Sequence, residues 1–239
     1  MIKKNLNQNG KYVQEFLDAI EPDFIFSNKP INRFKIIEEK HNNSGVDKTT
    51  ELSKLRERIN AIENCNLKTN SKNLVMGDGN TDSSIMLIGE TPGELEDKTG
   101  HSFQGEIGIL LKKMLLAINI DIDKVYRTYS INFRAPGDRK PTAKEIKRYS
   151  IFLKQHISII NPEILVLMGS TAMEAVIGSN DRISNERGKW KDIILKSKTI
   201  PLIVTYSPSY LIRFPENKKY SWEDLKKIKD KIQQLKIKI

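Results

Sequence analysis

From about residue 74 onward, short uninterrupted apolar runs alternate with longer stretches of helical period. SIMLIG (84–89) is followed by a loop and IGILLKKMLLAINI. VYRTYSINF (125–133) precedes PTAKEIKRYSIFLKQHISII, ILVLMG (164–169) leads to STAMEAVIG, and PLIVTYS (201–207) leads through a loop to SWEDLKKIKDKIQQL. An apolar run without alternation fits a strand covered on both faces, and the helix that follows each run supplies the cover. The pattern predicts an α/β fold, a three-layer α/β/α arrangement around a four-stranded parallel sheet.

Upstream the pattern differs. DKTTELSKLRERINAIEN (47–64) carries Leu52, Leu55, Ile59 and Ile62 at helical spacing, with Asp47 or Thr49 as its N-cap. Residues 1–45 contain one helical stripe (Val13, Phe16, Leu17, Ile20) and close on a linker-like NNSG. The chain therefore divides into an N-terminal extension, 1–45, partly helical, and a main domain, 46–239.

In parallel α/β sheets, ligands bind beyond the carboxyl ends of the strands. Four segments lie there: GETPGELEDKTGHSFQG (89–105), NFRAPGDRKPT, a Gly-Ser pair after the third strand, and YSPSYLIRF. One such loop would be an ordinary strand-to-helix turn. Four on one edge, two of them rich in Gly and Pro, point to a pocket. The first loop also packs four acids into a chain that is basic overall.

Composition narrows the classes. Forty Lys and Arg against thirty Asp and Glu give a net charge of +10, which favours a polyanionic partner such as nucleic acid. A genome-driven excess of Lys, Ile and Asn would give the same bias without a partner. No apolar run approaches the roughly 20 residues of a membrane span, and MIKKNLNQNGKY lacks a signal-peptide core. The single cysteine, Cys65, excludes an internal disulfide and suits a reducing cytoplasm.

The motifs, taken together over roughly residues 51–235, resemble the family-four uracil-DNA glycosylases. The resemblance rests on VMGDGNTDSSIMLIGE, GETPGELEDKTGHSFQGEIGILL, FRAPGDRKPTAKEI, INPEILVLMGSTA, RGKW and SPSYLIR, in the family's order and spacing. It implies an enzyme that flips a nucleotide out of DNA and hydrolyses its glycosidic bond, acting as a monomer on single- or double-stranded DNA without sequence preference. Phe103 matches the base-stacking phenylalanine and Glu90 the glutamate associated with the attacking water. Gly89, Pro92 and Gly93 let the loop backbone approach the sugar and base. Glu96 and Asp97 read as structural acids bonding loop amides. Arg134, Arg139 and Arg213 fall near DNA or support the loops, and Pro208 and Ser209 belong to the loop that wedges toward the minor groove.

Four departures qualify this. The family's iron–sulfur cluster needs four cysteines, but Ile62, Phe133 and Tyr149 stand at three of the positions beside Cys65, so the cluster is expected to be lost. Ser207 replaces the histidine that would face the departing base. Tyr129 replaces the asparagine that would read the uracil edge, and its ring is large enough to fill the pocket. Thr91 replaces a small residue, and His101 is the one histidine in the loop that bears Phe103. Three readings stay open: a glycosylase of altered chemistry using Glu90, Thr91 and Ser207; a DNA-binding protein that kept the fold without catalysis; and a partner-binding module built on residues 1–45.

Overall fold

In the computed structural model, residues 47–196 and 198–237 are described; the helical stripe expected within 1–45 lies outside them. The described chain opens with α1 (Lys48–Asn60), α2 (Asn66–Asn70), β1 (Asp78–Gly79) and β2 (Ile85–Gly89). Then come α3 (Glu94–Thr99), α4 (Gly105–Leu116), β3 (Tyr126–Tyr129), α5 (Ala143–Ile160), β4 (Ile164–Met168) and α6 (Ser170–Ile177). It finishes with α7 (Ile183–Glu186), β5 (Trp190–Leu195), β6 (Lys198–Thr205), α8 (Pro208–Arg213) and α9 (Lys218–Gln234).

The sheet among the described residues has six strands in the order β1-β3-β2-β4-β6-β5, not the four read from the apolar runs. The four expected strands form its parallel centre, β3-β2-β4-β6. β1 and β5 add antiparallel edges. Both edges lack a fully apolar run, for different reasons. β1 is two residues long, and WKDIIL in β5 mixes charges into an exposed edge, a common way to blunt an edge strand. The second strand is also shorter than expected. After Tyr129 the chain leaves the ladder but stays pinned, with Ser130 N–H donating to Gly89 O (2.8 Å) and Ile131 N–H to Glu90 O (3.3 Å).

Every residue of β2 and β4 is buried, because their side chains alternate between two apolar clusters. Met86, Ile88, Leu165 and Leu167 join α5 residues such as Leu153 and Ile157 in one. Ile85, Leu87, Ile164 and Val166 join Leu111 and Leu115 of α4 and Leu225 and Ile228 of α9 in the other. Helix ends follow local chemistry. Asp47 Oδ1 accepts Thr49 N–H at α1, and Thr142 with Glu145 forms a reciprocal capping box at α5. No helix among the described residues is long and apolar enough to cross a membrane.

The chain leaves β2 toward β3 and leaves the neighbouring β4 toward β5 and β6, so the connections from these two strands run in opposite directions. That reversal opens a crevice at the carboxyl ends of β2 and β4.

Candidate active-site cleft

A cleft of about 640 Å³ occupies this crevice. Every site residue named from the sequence lines it except Arg134. The loop after β2 makes its floor, α8 and Tyr206 one wall, and Arg139 and Lys140 another.

The floor depends on a close approach at Gly89. A Cβ there would stand 2.8 Å from the Tyr129 ring and 2.9 Å from Phe103 Cζ, so any side chain would push those rings away. Phe103, in the left-handed region (φ 51°), stacks on Tyr129 with ring centroids 4.7 Å apart and planes 22° apart. Tyr129 Oη accepts the Phe103 N–H (3.1 Å) and donates to Glu96 Oε1 (3.3 Å). Burial, and after it the nearby Glu96 carboxylate, push this phenol well above its ordinary range, so it remains a neutral donor.

The acids of the first loop bond loop amides, as their type suggested. Glu96 Oε2 accepts Gly93 N–H (3.1 Å) and Oε1 accepts Gln104 N–H (2.9 Å). Asp97 Oδ1 takes the N–H groups of Lys72 (2.8 Å) and Asn73 (3.2 Å). Asp78 secures the far side. Its Oδ2 accepts the Ser102 hydroxyl (2.7 Å) and its Oδ1 meets His101 Nδ1 (2.9 Å). Burial pushes the Asp78 carboxyl up, but the hydrogen bonds from His101 and Ser102 outweigh it and hold the group below its usual range. His101 itself is exposed and does not line the cleft.

Glu90 bridges the crevice. Its Oε1 accepts Thr171 N–H (3.1 Å) and meets Ser170 Oγ (3.3 Å) at the first turn of α6, where an anion is favoured. Gly169 makes room for it, since a Cβ there would lie 2.3 Å from Glu90 Cδ. Oε2 has no hydrogen-bond partner among the described residues. Ser207 caps α8, its Oγ accepting Tyr210 N–H (3.3 Å) and lying 3.1 Å from Ser209 Oγ, with Pro208 at the first helical position.

The arginines divide. Arg134 makes a two-pronged pair with Asp138 (both 2.7 Å), and Arg139 another with Glu145 (2.7 and 2.9 Å). The Arg139 pair and the Thr142 cap hold Glu145 down at about 2 despite partial burial. Arg213 lines the cleft, exposed and without an ion pair among the described residues. Lys140 does the same; one lysine among many gave no sign of it in the sequence.

An aromatic wall was also not anticipated. Tyr206 stacks on Tyr210 (4.9 Å), which packs on Phe214 (4.8 Å). Behind it Arg187 pairs with buried Asp224 (2.6 Å), which accepts the Thr205 hydroxyl (2.8 Å) and ties α9 to the end of β6. The RGKW motif contained Arg187, but its partner lies 37 residues away.

A family model described as the uracil DNA glycosylase superfamily matches residues 76–228. The chain belongs to this superfamily. It is 38% identical over 176 residues to a Type-4 uracil-DNA glycosylase of Thermotoga maritima, covering 72% of this chain and 90% of the relative. A Type-4 uracil-DNA glycosylase of Sulfurisphaera tokodaii is 35% identical (75% and 84% covered), and one of Archaeoglobus fulgidus 30% identical (74% and 91%).

The side chains at the four positions that the resemblance assigns to the family's cluster do not fit a thiolate-bound cluster. Cys65, Ile62, Phe133 and Tyr149 are buried in one apolar cluster, and the Tyr149 hydroxyl lies 3.3 Å from Cys65 Sγ. Three of these side chains offer no thiolate. Among the described residues no group of three or more His, Cys, Asp or Glu is placed to hold a metal.

Proposed function

We propose that this chain is a DNA-repair protein of the uracil-DNA glycosylase type, binding DNA across the cleft, with base excision held off by Tyr129. The observation that carries this reading is the Tyr129–Phe103 stack inside a cleft that also contains Glu90, Thr91 and Ser207. A flipped base needs an aromatic face to lie on and polar groups along its edge. Phe103 is 6% exposed and Tyr129 4%, so neither offers a face while the two are stacked.

Excision builds positive charge on the sugar and negative charge on the leaving base. Glu90 suits the first task, since Oε1 is anchored on α6 and Oε2 is left to hold a water beside the sugar, with Thr91 next to it. Ser207 is the weak point, because its Oγ is already engaged at the α8 cap and cannot reach as far as an imidazole. Loss of one donor to a developing anion costs about 3–4 kcal/mol of transition-state stabilisation.

Arg213 and Lys140 offer cations for phosphate, in keeping with a +10 chain and with sequence-independent contact to single- or double-stranded DNA. The same reading takes a monomer of three-layer architecture over residues 46–239, active in the cytoplasm and working without an iron–sulfur cluster.

Retention of Glu90 with an oxygen unengaged among the described residues favours a second reading, a glycosylase acting on a lesion that displaces Tyr129. One assay separates the two. Purified protein is incubated with oligonucleotides carrying uracil, hypoxanthine or xanthine and scored for abasic sites, with Glu90→Gln as control. DNA binding without abasic sites supports the held-off enzyme. Glu90-dependent abasic sites support the second reading, and absence of DNA binding rejects both.

A further inference from the structure

Four rings and two cations stand in one row that starts at the wall of the cleft and runs out of it. Tyr206 and Tyr210, which line the cleft, stack with centroids 4.9 Å apart and planes 21° apart. Phe214 packs on the other end of Tyr210, 4.8 Å between centroids. On the Tyr206 side the Arg187 guanidinium lies 5.8 Å from the Tyr206 centroid and 5.2 Å from that of Tyr220, and Lys219 Nζ lies 5.0 Å from Tyr220. Arg187 is largely buried and paired with Asp224, so it braces the row.

The row is buried in its middle, at Tyr206, and open at both ends. Phe214 is 43% exposed and Tyr220 38%, whereas rings that only fill the core, such as Phe133 and Tyr149, are covered. Arg213, Lys218 and Lys219 surround the open ends, exposed and without ion pairs among the described residues. Residues 208–222 hold these three cations and one acid, Glu216. Exposed ring faces among unpaired cations suit a strand that carries both free base faces and phosphates.

We propose that this row is a stacking platform for unpaired bases, and that the protein takes single-stranded DNA in preference to duplex. The inference rests on the DNA-repair reading of the cleft and adds the form of strand, which that reading leaves open. A base can stack on a ring only with a free face. In a duplex each base face is covered by the next pair, so Phe214 and Tyr220 find nothing to receive unless the duplex is unstacked. Phosphates are present in both forms, and Arg213, Lys218 and Lys219 serve both. The rings therefore add contacts that only the single strand can use, and their bracing by Arg187 and Tyr206 leaves little freedom to lose on binding. Charge alone gives the opposite order, because the duplex has the higher phosphate density.

The test is fluorescence anisotropy with the full chain and undamaged oligonucleotides of equal length and mixed sequence, single-stranded or duplex, over a salt series. The single strand should bind at least about tenfold more tightly than the duplex. A single strand whose bases are replaced by tetrahydrofuran units keeps every phosphate and should lose that preference. Phe214→Ala and Tyr220→Ala should each weaken single-strand binding about fivefold or more. Duplex affinity and the salt slope should not change, since stacking releases no counterions. Phe214→Tyr should keep the preference.

Equal or tighter binding of the duplex by the parent protein overturns the inference and leaves the DNA reading standing; it requires no variant. No binding to either form overturns both. A preference that persists with the baseless strand, or in a folded variant carrying both Phe214→Ala and Tyr220→Ala, overturns the platform as its source. Equal losses of single-strand and duplex affinity in Phe214→Ala would make the ring a wedge into duplex, and overturn it too. An RNA strand of the same sequence that binds more tightly than the DNA strand overturns the assignment to DNA.

Discussion

Replacing Tyr129 with Asn and Ser207 with His together should convert the cleft into one that releases uracil. The first change opens the base compartment and supplies a donor and an acceptor on one side chain. The second supplies a donor long enough to face the departing base. Both have a structural cost. Truncating a fully buried aromatic side chain costs about 3–5 kcal/mol, and here Phe103 N–H and Glu96 Oε1 also lose their shared partner. Losing the Ser207 cap on Tyr210 N–H adds about 1 kcal/mol. A domain of ordinary stability, about 5–15 kcal/mol, survives this only if the Asn amide recovers part of the loss, so thermal melts come first.

The chemical gain from the new donor is about 3–4 kcal/mol, or roughly 10²–10³ in rate. It appears only when the compartment is open, because both residues act on one bound uracil. The two changes should therefore be strongly non-additive. Single-turnover incubation with a uracil strand, followed by alkaline scission, should show cleavage for the double variant and little or none for either single variant. Adding Glu90→Gln should abolish the gain. A folded double variant as inert as the parent would refute this reasoning.

Affinity for undamaged DNA should fall steeply between low and moderate salt, because phosphate contacts by Lys and Arg dominate it; a salt-independent anisotropy titration would remove the basic surface as the footprint. The purified protein should be colourless, and stoichiometric iron with a broad absorbance band in the visible would show that Ile62, Phe133 and Tyr149 do not replace the cluster. His156, buried with its Nε2 2.8 Å from the Tyr126 hydroxyl, is held down by burial to about 3, from an ordinary 6.5. Its folded pKa is lowered, so the unfolded chain binds the extra proton. Stability should be full above about pH 6.5 and fall as pH drops toward 3. His156→Gln should flatten melting temperature against pH across that window, and an unchanged slope would exclude His156 as the cause.

The central sheet was legible because β2 and β4 are buried on both faces and so read as unbroken apolar runs. β5 was not, since an edge strand carries charges among its apolar residues, and β1 is too short to leave a pattern. Residue type identified Glu96 and Asp97 as loop-bonding acids. Their partners could not be read, because the amides Asp97 holds lie 24 and 25 residues upstream. The Glu90–Thr171 bond spans 81 residues and exists only because β2 and β4 are neighbours. Tyr129 was visible as a ring in place of an amide. Its hydroxyl bridging Phe103 and Glu96 depends on how the loop folds back over Gly89.

Whether a base can enter the cleft while Tyr129 holds Phe103 is measured most directly by fluorescence of 2-aminopurine placed beside a single uracil in a duplex. Extrusion of the uracil unstacks the probe and raises its emission. With the parent protein at saturating concentration, binding should be complete by anisotropy while emission stays at the level of the thymine control. With Tyr129→Asn, emission should rise in step with binding. A saturable rise with the parent protein would show a base flipping with Tyr129 present, and would contradict the closed compartment.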